Sequence, residues 1–153
     1  MPIRCSSKAI LMLNGRILLN RCRDRGEVYY DLPGGGQHLF ESMEEAVRRE
    51  VMEETGYSIV LDRFAAVAEE ITADPLIRTQ YPEYAHRILH IFLAHPADAA
   101  QQATSETDYQ QEASVWVTPE EADALPMRPS SMTGQFRRIL EADSCVFLNT
   151  AYD

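Results

Sequence analysis

Two apolar runs, Lys8 to Leu13 and Arg16 to Arg23, are separated by Asn14-Gly15, the strongest short-range signal of a β-hairpin. Val28 to Leu32 (VYYDL) reads as a further short strand, stopped by Pro33 and the loop-forming run Gly34-Gly35-Gly36. The period then changes from two to about four. Met43, Val47 and Val51 define one buried helical stripe. Ser42 is placed to cap the start of this helix, with Glu45 three residues on completing a capping box. Gly56 stands where a left-handed C-terminal cap is wanted.

Downstream, Ser58 to Leu61 and Phe64 to Ile71 read as two strands, Ile88 to Ala94 (ILHIFLA) as a buried strand and Ala113 to Val117 (ASVWV) as another. Pro119 opens a short acidic helix through Ala124, and Met132 to Ala142 has the spacing of a second long helix. Residues 74–84 and 96–111 read as loops, and loops of that length are often functional. Strands, a helix, more strands and a terminal helix predict an α/β fold with a sheet covered by helices on both faces.

Composition changes this picture little. With 45% hydrophobic and 25% charged residues over 153 positions, the chain fits one domain, residues 1–153, with a substantial core. No apolar run has the length of a membrane helix, and the first residues lack the pattern of a signal peptide. Cys5, Cys22 and Cys145 are widely spaced, with neither a C-x-x-C pair nor partner histidines, so reduced thiols and a cytoplasmic location are expected. A formal net charge of −10 without a basic stripe argues against bulk nucleic acid as a partner. It does not argue against a small phosphorylated substrate, because a bound divalent cation inverts the local charge.

The placement of the acids carries the chemistry. Glu50, Glu53 and Glu54 are three and four residues apart, so they share one face of the first helix. They sit in its last turns, near the negative end of the macrodipole, where carboxylates repel one another and the helix. A hard divalent cation offsets this, and magnesium suits oxygen donors in the company of substrate phosphates. Such a cation polarises phosphoryl oxygens, and a neighbouring carboxylate can act as general base. Arg48 and Arg49 would neutralise part of the cluster. The glycines let backbone approach a metal or phosphate, but the Gly-Lys-Ser/Thr that ends a P-loop is missing.

Gly35, Glu41, Arg49, Glu50, Val51, Glu53, Glu54 and Gly56 stand in the register G-x5-E-x7-R-E-U-x-E-E-x-G-U, with U a bulky aliphatic residue. Over Gly35–Tyr57 the chain therefore resembles the Nudix hydrolase family. The D-L-P-G-G-G segment and the strand with Trp116 leading into Pro119-Glu120-Glu121 look familiar for it as well. The resemblance implies an α/β/α sandwich around a central mixed sheet. It implies hydrolysis of a pyrophosphate bond with magnesium as cofactor, manganese being a substitute. Glu50, Glu53 and Glu54 would be metal ligands, joined by a backbone carbonyl at Gly34, and Glu50 or Glu54 would also be the base. Arg49 would orient a catalytic glutamate, and Glu41 would hold the loop against the helix. Tyr57 takes the last aliphatic position, and His38-Leu39-Phe40 departs from the usual loop, with Phe40 where a glycine normally turns the chain.

Segments outside the motif would choose the substrate. Tyr29, Tyr30, Tyr81, Tyr84 and Tyr109 are available for stacking, and Arg23, Arg25, Arg78 and Arg87 for phosphate. Glu106, Asp108 and Glu112 are candidates for an additional acid, Glu112 being preferred. The expected substrate is a nucleotide or other diphosphate: a nucleoside diphosphate linked to another moiety, or a nucleoside triphosphate. A non-catalytic nucleotide-binding module and a prenyl-diphosphate isomerase on the same fold are the competing readings, and members of the family often form homodimers.

Overall fold

In a computed structural model of the chain, which describes residues 2–98, 101 and 111–153, the hairpin anchors a mixed sheet. Strand β1 (Arg4–Leu13) turns at Asn14-Gly15 into β2 (Arg16–Asp24). Both turn residues have positive φ, 51° and 74°, the geometry that matches the twist of a tight hairpin. Strand β3 (Glu27–Asp31) returns along β2. The glycine run is a strand rather than the loop its composition predicts. As β4 (Gly34–Gly36) it pairs antiparallel with Ser6, Ser7 and Lys8 of β1.

Helix α1 (Met43–Thr55) has the expected ends: Ser42 and Glu45 form the reciprocal capping box, and Gly56 closes it at φ 77°. Its N-terminal Met43 is exposed, so the buried stripe is Ala46, Val47 and Val51 instead. The two strands expected between Ser58 and Ile71 are one, β5 (Ile59–Ile71), whose register against its neighbour shifts between Leu61 and Arg63 and again between Phe64 and Ala66. The segment expected as a loop at 74–84 contains α2 (Pro75–Gln80), opened by the Asp74 side chain, and a 3-10 turn over Pro82–Tyr84.

Strand β6 (His86–Pro96) runs parallel to β1 and antiparallel to β5. Strand β7 (Gln111–Val117) lies antiparallel on β2, and α3 (Pro119–Asp123) follows with its own capping box. The long helix expected over 132–142 is a 3-10 turn at Ser130–Met132 and a six-residue α4 (Phe136–Glu141), interrupted at Gly134, where φ is 75°. A final strand, β8 (Val146–Ala151), runs parallel to β5.

The sheet order β3-β2-β1-β6-β5-β8 places β1 centrally, with β4 and β7 added off this path. Alternation along β1 divides two cores. Ala9 and Leu11 face α1 with Leu18, Val47 and Val51, and Ile10 faces α3 and α4 with Ala122, Phe136 and Ile139. Helices therefore cover both faces of a mixed sheet. Among the described residues no helix is long and apolar enough to cross a membrane.

Candidate active site

Two adjacent glycines in β4 bring the strand onto the C-terminal half of α1. At Gly34, φ is 131° and a side chain would collide with the backbone of Ser7. At Gly35 a Cβ would stand 2.5 Å from Cδ and Oε2 of Glu50. The Glu50 carboxylate thus rests on bare backbone, an approach that only glycine allows.

Around this contact the acids are tied to named donors. Glu54 is 4% exposed, its Oε1 accepting from Asn20 Nδ2 at 2.6 Å and its Oε2 from the Gly34 N–H at 3.1 Å. Arg49 donates to Glu41 through Nε (2.7 Å) and Nη2 (3.0 Å), to Glu50 and Glu53 through Nη1 (2.8 and 3.3 Å), and to the Gly36 carbonyl through Nη2 (3.0 Å). One guanidinium therefore gathers three carboxylates and the end of the glycine strand. Its fork geometry suits the bidentate pair with Glu41. Arg48 does not join the cluster; its Nη1 donates to the Ile59 carbonyl at 3.0 Å.

The Arg49 hydrogen bonds hold the Glu41 carboxyl far below its usual range, at about 2, and raise the guanidinium in turn. A carboxylate depressed on folding contributes stability that is fully present above its ordinary value near 4.5 and is lost as pH falls through about 2. The urea-unfolding midpoint of the wild-type protein is thus expected to drop between those pH values more steeply than that of Glu41→Gln. Parallel curves for the two proteins would refute this role.

The loop ahead of the helix keeps the turn that its sequence disfavours. The Glu41 N–H donates to the His38 carbonyl at 3.1 Å, and Phe40, third in this β-turn, has φ 68°. That is the glycine position of a type II turn. Phe40 is 99% exposed and Leu39 is 83% exposed, so no packing offsets the strain. Left-handed backbone costs an L-residue about 1–2 kcal/mol, part of which glycine's greater unfolded-state freedom returns. Phe40→Gly is expected to stabilise the protein by about 1 kcal/mol in equilibrium denaturation, and a loss of stability would contradict the turn assignment.

Several expected site residues are engaged elsewhere. Glu112 lies on β7, paired with Arg21 and, at 2.6 Å, with Arg23; none of its bonds reaches Glu50, Glu53 or Glu54. The candidate phosphate arginines already have partners: Arg23 has Glu112, Arg25 has Asp74 at 3.0 Å, Arg78 has the Thr72 carbonyl and Arg87 has Glu70 at 2.6 Å. The Gly34 carbonyl, expected as a metal ligand, accepts from Lys8 Nζ at 3.0 Å, and an ammonium there competes with a metal ion for that oxygen. Tyr57 is buried and meets Trp116 edge-on at 6.0 Å, joining the end of α1 to β7. Glu106, Asp108 and Tyr109 lie outside the described residues.

Two residues outside the motif also touch this cluster: Asn20 donates to Glu54 and Lys8 to the Gly34 carbonyl. In the sequence, the signal for the first is a polar asparagine directly after the apolar run Ile17-Leu18-Leu19.

A family model described as the NUDIX domain matches residues 4–137. The chain belongs to the Nudix family. A "MutT-like protein" of Streptomyces ambofaciens is 31% identical over 108 residues, 71% of this chain and 58% of that relative, so the match spans less than two thirds of the relative's length. Among solved structures, a NUDIX hydrolase from Nitrosomonas europaea is 18% identical with a TM-score of 0.68, covering 91% of this chain and 88% of the other. An ADP-ribose pyrophosphatase from Streptococcus suis is 19% identical with a TM-score of 0.63, covering 95% and 99%. These structural likenesses show the Nudix fold, with Gly35–Tyr57 carrying the family's motif at the contact between β4 and α1.

Proposed function

We propose that the protein hydrolyses a pyrophosphate bond in a nucleoside diphosphate linked to a second moiety, or in a nucleoside triphosphate, with a divalent cation bound at Glu50 and Glu54. The observation that carries this reading is the Glu50 carboxylate lying against the bare Gly35 backbone, with Glu54 anchored beside it on the Gly34 N–H. Family membership and the hydrolase names of the similar proteins support it.

The residues present fit magnesium. Their donors are all carboxylate oxygens, the hard donors that magnesium prefers. No three His, Cys, Asp or Glu side chains among the described residues are grouped closely enough to hold a metal ion between them. Magnesium does not require such a group, because it binds through one or two carboxylates and completes its shell with water and substrate phosphate. When bound it supplies positive charge to the phosphoryl oxygens as negative charge develops on them.

The side chains divide the remaining work. Arg49 fixes the Glu50 carboxylate through Oε1 and is itself held by Glu41. Both oxygens of Glu54 are occupied by donors, whereas Arg49 engages Glu50 at Oε1, so Glu50 rather than Glu54 takes the proton of the attacking water, at Oε2. Glu53, 31% exposed and only weakly drawn to Arg49 at 3.3 Å, completes the negative cluster.

The test is phosphate-product release from a panel of ADP-ribose, nucleoside triphosphates and dinucleoside polyphosphates, with and without magnesium. Metal-dependent cleavage of at least one substrate is expected. Absence of cleavage across the panel, or cleavage indifferent to chelation, would overturn the proposal.

A further inference from the structure

Lys8 is the sole lysine of the chain, and it is 6% exposed. Its Nζ donates to the Leu32 carbonyl at 3.2 Å and to the Gly34 carbonyl at 3.0 Å. An ammonium carries three donors, so one remains. Among the described residues Lys8 has neither a carboxylate partner nor a further acceptor. A buried charge in this condition needs an additional partner to offset its desolvation.

The space beside it supplies the place. Lys8 lines a cavity of about 740 Å3, together with Tyr29, Leu32, Tyr84, Leu89 and Met132 among others. This is within the range of volumes that hold small organic ligands. The cavity's other cations are already neutralised: Arg25 by Asp74, Arg87 by Glu70, and Arg128 by Asp24 at 3.2 Å while it also stacks on the Tyr29 ring at 4.0 Å. Six acids and four bases line the space, so it repels an anionic group. An uncharged ring system bearing hydrogen-bond acceptors and donors suits it: the acceptor meets Lys8, the donors meet the carboxylates and the ring lies against the tyrosines.

We infer that Lys8 is a specificity-determining residue, donating its third N–H to an uncharged acceptor on the nucleoside end of the substrate, which occupies this cavity. The inference rests on the proposed hydrolysis only for the identity of the ligand. Gly34 links the two parts of the molecule, since its carbonyl accepts from Lys8 while its N–H donates to Glu54.

A single lysine makes the test direct. Protein grown with carbon-13 at the lysine ε position gives one side-chain NMR signal. In metal-free buffer this signal is expected to shift, saturably, with at least one of the adenosine, guanosine, cytidine and uridine 5′-monophosphates, and not with inorganic pyrophosphate. In turnover, Lys8→Met is expected to raise KM for the preferred nucleotide about tenfold, with kcat within about twofold, as loss of one charge-assisted hydrogen bond predicts. A shift with pyrophosphate alone would place the phosphates in the cavity, and no shift with any probe would empty it of substrate; either result overturns the inference. The signal is read without catalysis, so a failed hydrolysis panel beside a normal nucleotide shift sinks only the proposed reaction, and the reverse pairing sinks only the role of Lys8.

Discussion

Glu50→Gln is expected to lower kcat on the best panel substrate by a factor on the order of 10²–10⁴, the usual worth of a positioned proton acceptor, with the fold retained. The substitution keeps the shape of the side chain and an oxygen for Arg49 Nη1, while removing the charge and the basic Oε2 that faces Gly35. Glu54→Gln is a less clean comparison. Its new amide would set a donor against either Asn20 Nδ2 or the Gly34 N–H, so it is expected to lose stability together with rate. Circular dichroism and a thermal melt on Glu50→Gln separate the two effects. A kcat within tenfold of wild type would remove Glu50 from the proton step.

The second large effect is expected from the addition of one methyl group. In Gly35→Ala the new Cβ occupies the position 2.5 Å from the Glu50 carboxylate, and the side chain must move aside. A misplacement of about 1 Å at a reacting group costs about 10²-fold in rate, and kcat is expected to fall by that order with little change in Tm. Gly34→Ala serves as the contrast. There the methyl meets Ser7 backbone and the chain sits at φ 131°, so the loss is expected in stability first. Steady-state kinetics and a melt on each variant distinguish the outcomes, and wild-type kcat in Gly35→Ala would show that Glu50 need not rest on the strand.

Signals that act within a few residues were legible in the sequence. The Asn14-Gly15 turn and both ends of α1 depend on local backbone and capping bonds, and they stand where expected. Elements defined by distant partners were not. Three glycines carry no side-chain pattern, so β4 is a strand only because Ser6–Lys8 pair with it. Register shifts near Arg63 and Phe64 break the period of two in β5, which therefore reads as two strands. Asn149 at φ 68° interrupts the alternation in β8, and the strand passes unnoticed.

The candidate site follows the same division. The spacing of Glu41, Arg49, Glu50, Glu53 and Glu54 is visible along the chain; Arg49 joins Glu41, Glu50 and Glu53 in space, whereas Glu54 is held separately by Asn20 and the Gly34 N–H. The partners of Glu112, Arg25 and Arg87 lie on other elements, and no spacing rule announces that these charges are already matched.

The alternation along β1 has a consequence for how the sheet finds its pairing. Lys8 lies on the same face as Ile10, and Ala9 and Leu11 lie on the other. A slip of one residue would exchange these faces, carrying the ammonium beneath Val47 and Val51 and away from the Leu32 and Gly34 carbonyls. An aliphatic side chain at this position would tolerate either alignment more evenly. The buried charge thus makes one alignment of the central strand much less costly than its neighbours, as a lone polar residue does in a coiled-coil seam. The lysine that faces the cavity therefore favours the alignment in which β4 lies opposite Ser6–Lys8.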